Sequence, residues 1–163
     1  MSYLTRLEPN KQYYVRAYAI INDNETRYSQ QIAFNTYDDI TPNDLKAVSI
    51  DSITQVKRED TTYAAIAKST LNRIGLQWTI TGYGHCWAEH KEPTIDDYKT
   101  VVREPINSGK PIRSVLTNLE PGKSYYVRAY VVATTNNPDN VRTQTLTLYG
   151  LYNSEKPTFR TGN

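Results

Sequence analysis

The stretch SVLTNLEPGKSYYVRAY, residues 114–130, carries the main structural signal of this chain because it repeats an earlier stretch almost unchanged. Residues 2–18, SYLTRLEPNKQYYVRAY, align with it without gaps and match at 13 of 17 positions. A shorter echo follows each copy: FNT at 34–36 corresponds to FRT at 159–161, with an intervening segment longer by 13 residues in the second copy. Self-similarity of this kind indicates two copies of one structural unit, and the extra length is typical of a longer hairpin loop.

Each copy combines a turn with a strand. Pro presets φ in the sequences EPNK and EPGK, and the Asn10 or Gly122 that follows tolerates positive φ. A strand is then predicted to begin at Tyr13 or Tyr125, with side chains alternating between two faces. In the second copy this alternation places Val127 and Ala129 on one face and Tyr126, Arg128 and Tyr130 on the other.

Composition favours strands and argues against several classes of partner. The chain has 14 Tyr but only 2 Phe, 1 Met and 7 Gly among its 163 residues, which is typical of β-structure. Lys and Arg number 19 against 17 Asp and Glu, and these charges are scattered, so we expect neither nucleic-acid binding nor a polybasic membrane patch. No apolar run approaches the ~20 residues of a membrane span. We therefore expect no membrane insertion by this chain and, if the protein is exported, a signal that lies outside it.

The repeated pattern Leu-x-Pro-x-x-x-Tyr-x-Val-x-Ala resembles the passage from strand E to strand F in fibronectin type III domains. This resemblance implies an all-β, immunoglobulin-like sandwich in which Tyr13 and Tyr125 are tyrosine corners, with the hydroxyl bonded to backbone a few residues upstream. The fuller pattern YYVRAYA, then Phe-x-Thr, is similar to the variant repeated in tandem in bacterial, Bacteroidota-like, surface lipoproteins. In that variant the preceding half of the domain reads much like GHCWA at 84–88 and PTIDD at 93–97. The resemblance implies an extracellular or cell-surface location.

Three parts are expected along the chain. Residues 1–36 would be the C-terminal half of one domain (strands E, F and G), residues 37–44 a linker of turn composition, and residues 45–163 a complete domain. In the half domain, an apolar face with Val15 and Phe34 would lack an opposing sheet, and an isolated hairpin is marginal in water. Three explanations stay open: a fragment of a longer tandem array, packing on the complete domain, or self-association of two chains through the half domain.

Seven short strands are predicted in the complete domain. The alternation of apolar residues from Ile74 to Ile80 predicts the second strand, and we expect the Gly-Tyr-Gly sequence at 82–84 to turn the chain into a third strand ending at Trp87. The segment 63–67 is either a continuation of the first strand or irregular. The other strands are predicted around 48–53, 100–103 and 113–116, in the repeat itself, and at either 143–149 or 156–161.

Only one cluster suggests chemistry, formed by Cys86 with His85 and His90. It has too few ligands for a zinc site, and alternation separates His85 from Cys86 if both lie in a strand. We therefore expect a buried cysteine, two surface histidines, and no catalytic, metal or cofactor site. The acidic pairs at 38–39 and 96–97 lack the ligand series of a calcium loop.

Two surfaces are candidates for binding. The row Tyr126, Arg128 and Tyr130 resembles a sugar-stacking platform, although its presence in both copies favours a role in the shared scaffold. The loop with Asn136, Asn137 and Asp139 occurs only in the second copy, as does the segment 89–92, and loops at the ends of a sandwich often carry binding.

These observations predict a non-catalytic structural or adhesive spacer, or interaction module, of a bacterial cell-surface protein. The alternative is a carbohydrate-binding accessory module of a glycan-processing surface protein. The partner would be an unknown protein or glycan, and fold alone does not choose between the two functions.

Overall fold

The protein is all-β in a computed structural model that describes residues 4–8, 11–21, 25–36, 40–57, 61–74, 78–135 and 144–163. Within these ranges, the single helical element is a short 3-10 turn at Pro42–Asp44, and no helix is long and apolar enough to cross a membrane. The chain divides into two compact units, Met1–Asp39 and Ile40–Asn163. The strands are β1 (Gln12–Val15), β2 (Tyr18–Ile21), β3 (Glu25–Tyr28), β4 (Ile32–Asn35), β5 (Ser49–Lys57), β6 (Thr61–Thr70), β7 (Trp78–Ala88), β8 (Tyr98–Lys99), β9 (Pro111–Leu119), β10 (Ser124–Thr135), β11 (Thr145–Tyr149) and β12 (Phe159–Arg160).

The smaller unit is one antiparallel hairpin in two sections. Strand β1 pairs with β4, placing Tyr13 opposite Phe34, and β2 pairs with β3, placing Tyr18 opposite Tyr28. The strand E that we expected before this hairpin does not occur in the described residues 4–8. The strands in the described part of this unit are therefore those of the hairpin alone.

The larger unit contains two antiparallel sheets with a core of apolar side chains. One sheet has the order β5-β6-β9, and the other has the order β11-β10-β7-β8, with β12 paired to β10. Alternate residues of β10 are buried as the repeat predicts, including Tyr125, Val127 and Ala129. The all-β class is confirmed, and the arrangement of sheets is that of a β-sandwich.

The second strand of the larger unit differs from the sequence prediction. It is β6, which includes the segment 63–67, whereas Ile74 lies outside any strand and β7 begins at Trp78. The cause is that the buried face of β6 carries mainly small residues, Ala65, Ala67 and Ser69, so its apolar alternation is weaker than that of the run from Ile74 to Ile80. Both segments that were predicted as alternatives for the last strand are strands, since β11 and β12 each pair with β10.

The expected turn at residues 82–84 is wrong, since β7 runs without interruption through both glycines. A bulge shifts the register so that Gly82 pairs with Val132 while Ile80 pairs with Ala133. Position 84 requires glycine for a different reason, because a Cβ atom there would lie 2.3 Å from the carbonyl oxygen of Thr100. The glycine thus permits a close backbone approach inside a strand.

Part of the expected linker lies in the larger unit. Ile40 and Asp44 are buried there, and Leu45 forms an isolated bridge with Leu71 next to the core. The Asp44 carboxylate accepts hydrogen bonds from the backbone and hydroxyl of Thr41, which closes the turn. The remaining linker residues, 37–39, lie outside the described residues.

Candidate functional site

The repeated tyrosines make the same contacts in both units. The Tyr125 hydroxyl accepts a hydrogen bond from the backbone N–H of Glu120 (3.0 Å), and the Tyr13 hydroxyl accepts one from Glu8 (2.9 Å). The Tyr125 ring stacks on Phe159, with ring centres 5.5 Å apart, and the corresponding rings of the smaller unit lie 6.0 Å apart. These residues hold neighbouring strands together in each copy.

A threonine completes each corner. The Thr161 hydroxyl donates to the carbonyl of Glu120 (2.6 Å) and accepts from the backbone N–H of Lys123 (2.9 Å). In the smaller unit the Thr36 hydroxyl donates to the carbonyl of Glu8 (2.6 Å) and accepts from the backbone of Lys11 (2.8 Å). The Phe-x-Thr echo in the sequence therefore closes the turn that begins the repeated strand.

The row Tyr126, Arg128 and Tyr130, which was expected on the surface, is only partly exposed. The Arg128 guanidinium lies over the ring of Tyr149 at 4.4 Å and near that of Tyr152 at 5.1 Å, and Arg16 lies over Tyr28 in the same way at 4.8 Å. This contact stabilises a sheet face in both copies. Tyr126, the next member of the row, is half-buried.

Tyr130 is not a surface residue, which corrects our prediction. Only 2% of it is exposed, because it lies opposite Gly84 and its hydroxyl donates to the carbonyl of Thr100 (2.6 Å). The equivalent Tyr18 of the smaller unit is 67% exposed. The second-copy loop residues Asn136, Asn137 and Asp139 lie outside the described residues.

The prediction that His85 lies on the surface is also wrong. It is fully buried, and its Nδ1 lies 2.7 Å from the hydroxyl of Ser114, which in turn lies 2.7 Å from the Thr100 hydroxyl. Burial lowers the pKa of His85 to about 4, so the imidazole is neutral at physiological pH. Alternation along β7 does not reveal the burial of His85. A histidine between two sheets needs a polar partner, and that partner, Ser114, lies in another strand.

Cys86 is buried as predicted, on the opposite face of β7 from His85. Its thiol donates to the carbonyl of Pro93 (3.4 Å), and burial raises its pKa to about 12. A thiol in this state is not an activated nucleophile. In the parts of the chain that the structure describes, no three His, Cys, Asp or Glu side chains form a group that could hold a metal ion.

A shallow groove lies at the end of the larger unit, beside the loop that joins β7 to β8. Its volume is about 430 Å³. Tyr98, at the start of the edge strand β8, is 53% exposed in this groove and stacks on Trp87, with ring centres 5.9 Å apart. The lining residues are Ala88, Glu89, His90, Asp96, Asp97, Tyr98 and Tyr125.

Hydrogen bonds hold the groove loop in place. The Asp97 carboxylate accepts from the backbone N–H of Thr94 (2.8 Å) and lies 3.0 Å from Nε2 of His90. The Lys91 carbonyl, followed by Asp97, raises the pKa of His90. The backbone N–H groups of Glu92 and Ile95 donate to the hydroxyls of Tyr152 and Tyr149, both at 3.0 Å. The same two tyrosines that cover Arg128 therefore also anchor this loop.

The sequence indicates part of this groove but not its aromatic residue Tyr98. The segment 89–92 and the acidic pair 96–97 were singled out, but Tyr98 was not. The spacing of Thr94 and Asp97 is a recognisable signal for a self-bonded turn. No pattern along the chain indicates that Tyr98 lies on Trp87, because strand pairing brings them together.

The chain matches no known family model, no curated protein and no solved structure.

Proposed function

We propose that this chain is a fibronectin type III-like, non-catalytic spacer and interaction module of a bacterial cell-surface protein. The order of the sheets in the larger unit supports this proposal, with β6 between β5 and β9 and with β10 between β7 and β11. The surface location is supported by the resemblance of the repeated motif to tandem modules of bacterial lipoproteins.

One observation carries the spacer function. Three residues that the two copies share make the same contacts in both units: the tyrosine with its backbone partner, the threonine that closes the turn, and the arginine over a tyrosine ring. A repeat that preserves contacts within the scaffold is suited to serial extension.

Two experiments test the two parts of the proposal. Protease added to intact producing cells is expected to cleave the chain, and protection until the cells are lysed would contradict the surface location. Stretching the full chain by its ends is expected to unfold the larger unit in one cooperative event. Gradual extension without such an event would contradict the spacer function.

Carbohydrate binding is the second candidate function, but it needs a different location from the one that we expected. Tyr130 is buried, and Arg128 is covered by two tyrosine rings. The observation that favours this function is the exposed ring of Tyr98 in the groove beside β8.

A further inference from the structure

We propose that the groove beside Tyr98 binds a neutral sugar ring of a glycan. This inference rests on the second candidate function above and gives it a specific site. It does not depend on the row Tyr126, Arg128 and Tyr130.

Tyr98 provides a fixed aromatic platform. Its ring is nearly parallel to that of Trp87, at 19°, and Trp87 is 2% exposed and held in the core. Since one face of the Tyr98 ring lies on Trp87 and 53% of the residue is exposed, the opposite face is open to solvent. A flat aromatic face with a rigid support packs well against the C–H face of a pyranose at little cost in side-chain entropy.

Hydrogen-bonding groups surround this platform. The Glu89 carboxylate is held by Lys123 at 3.0 Å, and the His90 imidazole is held by Asp97. The exposed Asp96 carboxylate makes no hydrogen bond with any described residue, so its oxygens are available as acceptors. Sugar hydroxyls both donate and accept, and carboxylates and imidazoles are their matching partners.

The loop that carries these groups is already in position. The hydroxyls of Tyr149 and Tyr152 bind its backbone, and Asp97 bridges Thr94 and His90 within it. Binding therefore requires little ordering of the loop, which lowers the entropy cost of binding a small ligand.

Other ligand classes fit the groove less well. A peptide that adds a strand to the sheet needs a long free edge, and β8 is only two residues long. Phosphate groups and nucleic acid need a positive surface, whereas Glu89, Asp96 and Asp97 outnumber the one lysine at this site.

The test is an NMR titration of the isotope-labelled full chain with the methyl glycosides of glucose, galactose, mannose, fucose and N-acetylglucosamine. At least one sugar is expected to shift the amide signals of Glu89, Asp96 and Tyr98 in a saturable way, with a Kd in the range of about 1–10 mM. Tyr98→Ala is expected to weaken binding about tenfold, and Tyr98→Phe by no more than about twofold. Asp96→Asn, at an exposed side chain, provides a second variant that leaves packing intact.

The matched control is Tyr14→Ala, which removes a tyrosine of similar exposure (61%) from the smaller unit. Its Kd is expected to equal that of the unmodified chain. The proposal is overturned if no sugar shifts the groove signals at about 50 mM, or if Tyr14→Ala and Tyr98→Ala weaken binding equally. In either case, cleavage of the chain on intact cells would still support the surface module, so the two failures are distinguishable.

Discussion

Tyr130 lies directly opposite Gly84 in the pairing of β10 with β7, and the missing side chain of the glycine leaves room for the chain segment that buries the tyrosine. The carbonyl of Thr100 occupies this space and accepts the Tyr130 hydroxyl at 2.6 Å. The glycine thus permits the close backbone approach that buries Tyr130.

Gly84→Ala is expected to destabilise the larger unit by about 1–3 kcal/mol, because the new Cβ atom would lie 2.3 Å from the Thr100 carbonyl oxygen and the backbone must shift. Urea unfolding followed by tryptophan fluorescence measures this change. The matched control is Gly82→Ala, where the nearest atom would be 3.9 Å away. Equal unfolding midpoints for the two variants would contradict the close-approach explanation.

Tyr125→Phe is expected to lower the free energy of unfolding by about 1 kcal/mol, because the backbone N–H of Glu120 loses its acceptor. Tyr126→Phe is the control, since the adjacent hydroxyl makes no hydrogen bond with any described residue. Thermal unfolding of the three proteins provides the comparison. If Tyr126→Phe lowered the free energy of unfolding as much as Tyr125→Phe, loss of the Tyr125 hydrogen bond would not explain the destabilisation.

Protonation of His85 is expected to make the larger unit less stable in acid. The folded state holds this imidazole neutral, with a pKa of about 4, whereas the unfolded chain binds a proton near pH 6.5. Stability from this group is therefore complete above pH 6.5 and falls as the pH decreases to 4, by about 3 kcal/mol in all. The measurement is the free energy of unfolding across this pH range.

His85→Gln should remove most of this pH dependence, and His90→Gln should leave it in place. His90 is exposed, and its pKa is raised, so its contribution has the opposite sign. An identical slope in the unmodified chain and His85→Gln would show that other groups cause the acid sensitivity.

Self-association through the smaller unit remains a prediction. Ile32, which pairs with Val15, is 65% exposed, and Leu4 and Leu7 are also exposed, whereas the equivalent Leu116 and Leu119 are buried in the larger unit. We expect sedimentation velocity to show dimers that Ile32→Lys abolishes. Val115→Lys, at an exposed position of β9, is the control. A strict monomer at about 100 µM would exclude this association.

The strand composition and the alternation in the repeat were sufficient to predict the all-β class and the buried face of β10. Period-2 alternation depends only on neighbouring residues, so Tyr125, Val127 and Ala129 could be assigned to the core without knowledge of the sheets. The same local rule failed at Ile74, which lies outside any strand, and at Gly82, where β7 continues through a bulge.

Local sequence is enough to identify the recurring residues and the apolar face of the repeated strand. Three features depend on the packing of the sheets: Tyr130 is buried while Tyr18 is exposed, His85 lies between the sheets, and the Tyr98 ring stacks on Trp87. Tyr130 and His85 each depend on a partner from a distant part of the chain, 30 residues away for the hydroxyl of Tyr130 and 29 for the imidazole of His85. Such contacts are set by sheet order and register, which a local pattern does not contain.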